Sequence, residues 1–308
     1  MEGVTMKIVV TGGAGFIGSH ITETLCDKKY EVIVVDNLSF GYKNFVDKRA
    51  VFVRGNIGDK NLMRQVLRGA DAVIHLAASS IIKFSYEDPV SYFHNNLTNG
   101  IALLEAMRNE KVHKIIYSST AAVYGSPEKN PVKEDDPKNP ISAYGASKLG
   151  FENALSAYYH AYGIESVSLR YFNAYGPRDE QKPATRAVPM WIKALLADKP
   201  VEVYWHAEQT RDYVYVTDIA QAHIAVLSAK GCLTYNIGSG KGIVMKDIIT
   251  HIEKIAGRKL QIIDKGERKG DPEKLIADTE KIKKEIGWIP HVSLQEGLQK
   301  TIDYYKSI

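Results

Sequence analysis

Short runs of β-branched and aliphatic residues alternate with helix-length amphipathic stretches through the first half of the chain. Lys7–Thr11 predicts a strand, Ile17–Lys28 a helix, and Glu31–Asp36 and Ala50–Arg54 two further strands. Lys60–Leu67 reads as a helix, Ala72–Leu76 as a buried strand, Asn96–Arg108 as a helix and Lys114–Ser118 as a strand. A long helix over Ala143–Tyr162 and a strand over Ser166–Arg170 continue the series. Strands separated by helix-length segments dictate right-handed βαβ crossovers and a parallel sheet. The predicted fold class is therefore α/β, a doubly wound parallel sheet with a smaller C-terminal lobe.

The rhythm loosens after Tyr171, where Pro177, Pro183, Pro189 and Pro200 punctuate the chain around a helix predicted over Met190–Ala197. Alternation resumes with a strand at Asp212–Val216, a helix at Asp218–Ala229 and a strand at Tyr235–Ile237. Helices are predicted again over Met245–Ala256 and Thr279–Ile286. This reading divides the chain into a main lobe, 1–172 plus 212–238, and a smaller one, 173–211 plus 239–308. A length of 308 residues accommodates both.

Charge and cysteine content narrow the partners. Forty Lys and Arg against thirty-six Asp and Glu give a mild net charge of +4. The densest basic stretch, Lys265–Lys274, is broken by Glu267, Gly270, Asp271 and Glu273, unlike a nucleic-acid stripe. An anionic small molecule suits this chain better. Two cysteines, Cys26 and Cys232, support neither a disulfide framework nor a metal-ligand spacing, which predicts a reducing, cytoplasmic setting and no metal. No apolar run approaches the ~18 residues of a membrane span.

Between the first strand and first helix lies Thr11-Gly12-Gly13-Ala14-Gly15-Phe16-Ile17-Gly18. Glycines at 12, 15 and 18 permit a tight turn and a close approach of pyrophosphate to the helix N-terminus. A lone glycine pattern is weak; here a strand precedes it, a helix follows, and Asp36 closes the second strand. A carboxylate there accepts from adenosine ribose hydroxyls and repels a 2′-phosphate, so NAD is favoured over NADP.

Tyr144 and Lys148 stand four residues apart on the long helix, one turn apart on one face. A nearby ammonium favours the phenolate of a tyrosine and suits it to general-base work. A surface pair has the same spacing. The hydroxyl-rich Ser118-Ser119-Thr120 weighs against that alternative, because it ends a buried strand where open α/β sheets bind ligands.

Taken together, these residues resemble the NAD-dependent sugar epimerase/dehydratase family of the extended short-chain dehydrogenase/reductases, and within it the UDP-glucose 4-epimerase branch. The resemblance runs the length of the chain. It rests on the glycine loop, Asp36, His75-Leu76-Ala77-Ala78, Asn96, Ser118–Thr120, Tyr144 with Lys148, and Leu169-Arg170-Tyr171-Phe172-Asn173. Arg211-Asp212-Tyr213-Val214, Tyr235–Gly240 and Arg268-Lys269-Gly270-Asp271 extend it.

The resemblance implies a Rossmann-type fold, a UDP-sugar substrate and NAD held by Gly12, Gly15, Phe16, Ile17, Gly18, Asp36, Asn37, Asn56, Ile57, Leu76, Ala77, Ala78, Asn96, Ser118, Tyr144, Lys148 and Tyr171. It casts Tyr144 as the base at the sugar 4-hydroxyl, Lys148 as its activator and ribose ligand, and Thr120 as a hydrogen-bond partner of the reacting oxygen. Asn173, Arg211, Arg268 and Asp271 match positions that hold the UDP-sugar, arginine suiting diphosphate through its planar fork. An ion pair with Asp212 is the structural alternative for Arg211. Leu275 matches a wall of the sugar pocket where tyrosine excludes N-acetylated sugars, so both UDP-hexoses and their N-acetyl forms are expected to fit.

Two stretches depart from the family pattern. Gly55-Asn56 carries an amide where an acid commonly touches adenine, and Trp205-His206-Ala207 replaces a glycine-rich turn. His206 reads as a loop residue. Ala121-Ala122 after Thr120 supply no proton donor or acceptor, which argues against the dehydratase and decarboxylase alternatives. A reductase, or a non-catalytic NAD-binding scaffold, stays open on sequence alone. The stripes Phe151, Leu155, Tyr158, Tyr162 and Leu97, Ile101, Leu104 read as core by periodicity; the resemblance implies a homodimer through these helices.

Overall fold

The computed structural model describes residues 5–180, 185–266 and 272–308. Strands β1 (Lys7–Thr11), β2 (Glu31–Asp36), β3 (Val51–Arg54), β4 (Ala72–His75), β5 (Lys114–Thr120) and β6 (Glu165–Tyr171) alternate with helices. These are α1 (Phe16–Asp27), α2 (Lys60–Leu67), α3 (Ile82–Glu87), α4 (Pro89–Phe93), α5 (Asn99–Asn109) and α6 (Ala143–Tyr162). The chain continues through β7 (Asn173–Tyr175), α7 (Ala187–Leu196), β8 (Val201–Val203), β9 (Thr210–Tyr215), α8 (Val216–Ala225) and β10 (Cys232–Ile237). It closes with β11 (Gly242–Val244), α9 (Met245–Ala256), β12 (Ile262–Asp264), β13 (Lys274–Leu275), α10 (Glu280–Ile286) and α11 (Leu294–Ser307).

A seven-stranded sheet of order β10-β6-β5-β4-β1-β2-β3 carries the first part of the chain. Pairing is parallel from β3 through β2, β1 and β4 to β5. The order reverses direction between β1 and β4, which is the topological switch point where doubly wound sheets open a crevice at their carboxyl ends. The predicted fold class holds.

Two compact units form. The first takes 5–125, 138–170 and 220–235. Its core sets Val9, Val73 and Ile115 of the sheet against Met63, Leu67, Leu103, Met107 and Phe151 of the helices. The second takes 126–137, 171–219 and 236–308, with Trp191, Ile192, Tyr213, Ile248, Ile252, Leu298 and Ile302 at its centre. Residues 126–137, 171–172, 212–219 and 236–238 thus fold with the second unit, where the sequence partition placed them in the main lobe. β9 pairs with β7, β11 and β13, and Val132 exchanges backbone hydrogen bonds with Ile276 and Asp278. Main-chain partners, rather than proximity in sequence, decided the division.

Several elements differ from expectation. α3, α4 and α11 were not predicted, although Asp88 before Pro89 and the Ser293-to-Glu296 capping spacing signal two of them: Asp88 accepts from Ser91 N–H and Ser293 from Glu296 N–H. The predicted helix over Asn96–Arg108 begins as a π-helical turn, His94–Thr98, before α5. The two apolar stripes split: Phe151, Leu155 and Leu104 are core, whereas Ile101 and Tyr162 stay exposed.

Candidate active site

At the carboxyl end of β1 the chain turns sharply at Gly12, whose φ is +75°. A Cβ there would lie 2.6 Å from the Ala77 nitrogen, so the turn packs directly on the segment leaving β4. Gly18 is needed for a second close approach, since its Cβ would reach 2.2 Å from the Gly12 carbonyl oxygen. Gly15 caps α1 with extended backbone and no side-chain acceptor for the first-turn N–H groups. That leaves a polarised helix start, opened by Phe16 and Ile17, of the kind that receives phosphate.

Asp36 ends β2 beside this loop. Its carboxylate accepts from Ala14 N–H at 3.0 Å and Leu38 N–H at 2.8 Å. Burial pushes its pKa above the ordinary carboxylate value, and those two N–H donors oppose the shift. Each oxygen keeps acceptor capacity for a ribose hydroxyl. Asn37 turns its amide oxygen to Ser39 N–H, and Asn56 turns its own to Gly58 N–H. Ile57 is buried, while Leu76, Ala77 and Ala78 are half-buried. The glycine loop, the uncapped helix start and the buried acid together fit a dinucleotide.

His75 and Asn96 serve the frame of this site. His75 Nδ1 lies 2.7 Å from the Thr11 hydroxyl, and that hydroxyl oxygen accepts from Ala77 N–H. Burial, with the Lys148 charge adding to it, pushes the imidazole pKa down to about 3. Asn96, aimed inward by the π-helical turn, donates to the Ser79 carbonyl and the Ser147 hydroxyl and accepts from Ser79 N–H. Its amide thereby joins the segment after β4 to α6.

The predicted catalytic residues converge at the end of β5. Ser142 caps α6 through Gly145 N–H at 3.2 Å. A Cβ on Gly145 would meet the Ala122 carbonyl oxygen at 2.6 Å, so the helix start lies against the 3₁₀ turn Ala121–Tyr124 that follows Thr120. Tyr144 meets Tyr92 edge to face, the rings 6.5 Å apart. One turn on, Lys148 is only 2% exposed, and its Nζ donates to the Ser118 carbonyl at 2.7 Å. The ammonium also lies 4.8 Å from the Tyr117 ring centroid. Burial pushes Lys148 down to about 7, and the Glu152 carboxylate opposes that shift. Thr120 caps the 3₁₀ turn by accepting from Ala122 N–H.

In the second unit, Arg211 on β9 is buried and donates to the Thr210 and Glu273 carbonyls. Asp212 binds elsewhere, accepting from Ser239 N–H and hydroxyl, Gly240 N–H and Ala277 N–H. Asn173 donates to the Asp212 carbonyl at 3.2 Å. Leu275 pairs with Arg211 across β13 and β9. Tyr171 ends β6 and is buried. Arg268 and Asp271 lie outside the described residues. Among the described residues no group of three His, Cys, Asp or Glu is placed to hold a metal ion, and no helix is long and apolar enough to cross a membrane.

Comparison with known proteins places these motifs. Residues 9–301 match the family model described as GDP-mannose 4,6-dehydratase. The chain belongs to that family. The UDP-glucose 4-epimerase of Lacticaseibacillus casei is 38% identical over 305 residues, covering 93% of this chain and 92% of the relative. The UDP-glucose 4-epimerase of Thermus thermophilus, solved in complex with NAD, is 39% identical with a TM-score of 0.92. That match covers 98% of this chain and 99% of the other. The UDP-N-acetylglucosamine 4-epimerase of Methanobrevibacter ruminantium, solved with UDP-N-acetylmuramic acid, is 32% identical with a TM-score of 0.93 and covers 98% and 99%. Family membership fixes the architecture but spans more than one reaction, so the residues after Thr120 become decisive.

Sequence reasoning overlooked Glu152, Arg170, Tyr124 and Ser147. Glu152 stands eight residues after Tyr144, two helical turns along the same face, and that spacing was a usable signal.

Proposed function

We propose that this protein is an NAD-dependent 4-epimerase of UDP-hexoses, interconverting UDP-glucose and UDP-galactose and accepting their N-acetyl forms. One observation carries the reading: Lys148, buried and tied to the Ser118 carbonyl two residues before Thr120, stands one turn from Tyr144 on α6. NAD, when bound, supplies the acceptor and donor of the C4 hydride. Gly12, Gly15, Gly18 and Asp36 would hold it, the acid selecting NAD by its charge.

Tyr144 takes the proton from the sugar 4-hydroxyl and returns it once the 4-keto sugar has presented its other face. Lys148 stabilises the phenolate and orients the nicotinamide ribose. Thr120 hydrogen-bonds the reacting oxygen. Asn173, Arg211, Arg268 and Asp271 are assigned to the UDP-sugar. Ala121 and Ala122 carry no group able to move a proton at C5 or C6, which supports epimerisation over dehydration. Tyr144→Phe should lower kcat by at least ~100-fold with the fold unchanged by circular dichroism. Turnover of UDP-galactose at the wild-type rate would sink the assignment.

The reading includes a cytoplasmic homodimer. Support comes from the apolar side chains the first unit leaves on α3 to α6, namely Ile82, Tyr86, Val90, Phe93, Ile101 and Tyr162. Sedimentation equilibrium at micromolar concentration should return twice the chain mass; a monomer there would exclude it.

A further inference from the structure

We infer that the buried pair of Glu152 and Arg170 is a positioning device that clamps both flanks of Thr120 and fixes its hydroxyl for catalysis. Glu152 on α6 and Arg170 on β6 form a two-pronged ion pair, Nε to Oε1 at 3.0 Å and Nη2 to Oε2 at 2.7 Å. Both side chains are under a tenth exposed. From this pair one arm runs to each side of Thr120. The Ser119 hydroxyl donates to Glu152 Oε1, holding the residue before it. Arg170 Nη1 donates to the Tyr124 hydroxyl at 2.7 Å, holding the end of the 3₁₀ turn that Thr120 caps. The guanidinium also lies 5.0 Å from the Tyr124 ring centroid.

Stability alone is a poor reason for such a pair. Desolvating two charges costs about what their attraction returns, and apolar replacements of similar volume are often neutral or better. Geometry is what the pair supplies. A bidentate fork fixes two elements in register, and here the elements are the helix bearing Tyr144 and Lys148 and the strand next to β5. Glu152 lies one turn beyond Lys148 on α6, so one rigid network spans all three residues assigned to the reaction. Displacements of about 1 Å in such a site cost on the order of 100-fold in rate.

This inference rests on the epimerase reading for its kinetic readout, and a second readout frees it from that reading. Ser119→Ala removes one arm and leaves every charge in place. Expected is a fall in kcat of about 10-fold with KM within twofold, together with a split or broadened Thr120 methyl resonance in the NAD-free protein. The double variant Glu152→Leu/Arg170→Met removes the clamp while keeping apolar volume. It should stay folded by circular dichroism yet show the same loss in kcat and the same disorder at the Thr120 methyl. Wild-type kcat and an unchanged Thr120 resonance in Ser119→Ala would overturn the proposal, as would the same result in the double variant. A disturbed Thr120 resonance in a protein whose wild type turns over no UDP-sugar would support the clamp and defeat the epimerase reading.

Discussion

Leu275 stands opposite Arg211 in the short parallel pairing of β13 with β9, so the residues proposed for the sugar-pocket wall and for the diphosphate share one rung of backbone. On the proposed reading, a side chain there without hydroxyl or ring leaves room for an N-acetyl group that tyrosine would fill. The expected outcome for Leu275→Tyr is a drop of roughly 10-fold or more in kcat/KM for UDP-N-acetylglucosamine relative to UDP-glucose. An unchanged ratio would remove Leu275 from the specificity determinants. Other residues are legible in the sequence by type and not by role. An ion pair with Arg211 is only the alternative for Asp212 in the sequence, and the folded chain has it gather N–H groups from residues 239, 240 and 277. Asn96 is expected on the cofactor, and the structure adds that its amide joins Ser79 and Ser147. Both are short polar side chains, and which donor reaches them depends on chain segments far away in sequence.

Helix ends show how local chemistry sets the stability of an element. α6, α9 and α10 stop at Gly163, Gly257 and Gly287, all at positive φ, where glycine meets no steric penalty. α5 instead is followed by Lys111 at φ 59°, exposed and without that freedom. Lys111→Gly should stabilise the protein by about 1 kcal/mol, and Gly163→Ala should destabilise it by about the same, read as shifts in the urea midpoint. Space is no obstacle at Gly163, since an added Cβ would meet no atom within 4 Å. An unaffected midpoint in Gly163→Ala would show that the backbone relaxes away from this conformation. The capped helices α2 and α6 and the continuously apolar strands β1 and β2 match their predicted limits closely. β7, β8 and β11 to β13 have two or three residues each, too few for a period to show, and exist because partner strands lie beside them.

Across the whole molecule, buried bases such as His75 and Lys148 tie stability to pH. His75 falls from 6.5 to about 3 on folding, chiefly by desolvation. The unfolded chain therefore binds more protons between those values, and stability drops as pH falls through that window. Lys148 falls from 10.5 to about 7 for the same first cause. Stability accordingly rises as pH climbs from about 7 toward 10.5. Lys148→Met should unfold at a higher urea concentration near neutral pH than the wild type, and its midpoint should lose the alkaline rise. A wild-type slope retained in Lys148→Met would assign that rise to other groups. A residue kept in place against stability is what a functional site calls for.

The succession of strands, the doubly wound class and the glycine loop followed from the sequence, because apolar periodicity and backbone freedom act within a few residues. The Tyr144 and Lys148 spacing was equally local, since a helix alone brings them to one face. Tertiary structure decided what no short window contains. It placed β9 with β7, β11 and β13, gave the loop at 126–137 to the second unit, and buried Glu152 against Arg170 across 18 residues. Main-chain pairing and ion-pair desolvation depend on which segments meet, and only the folded chain sets that.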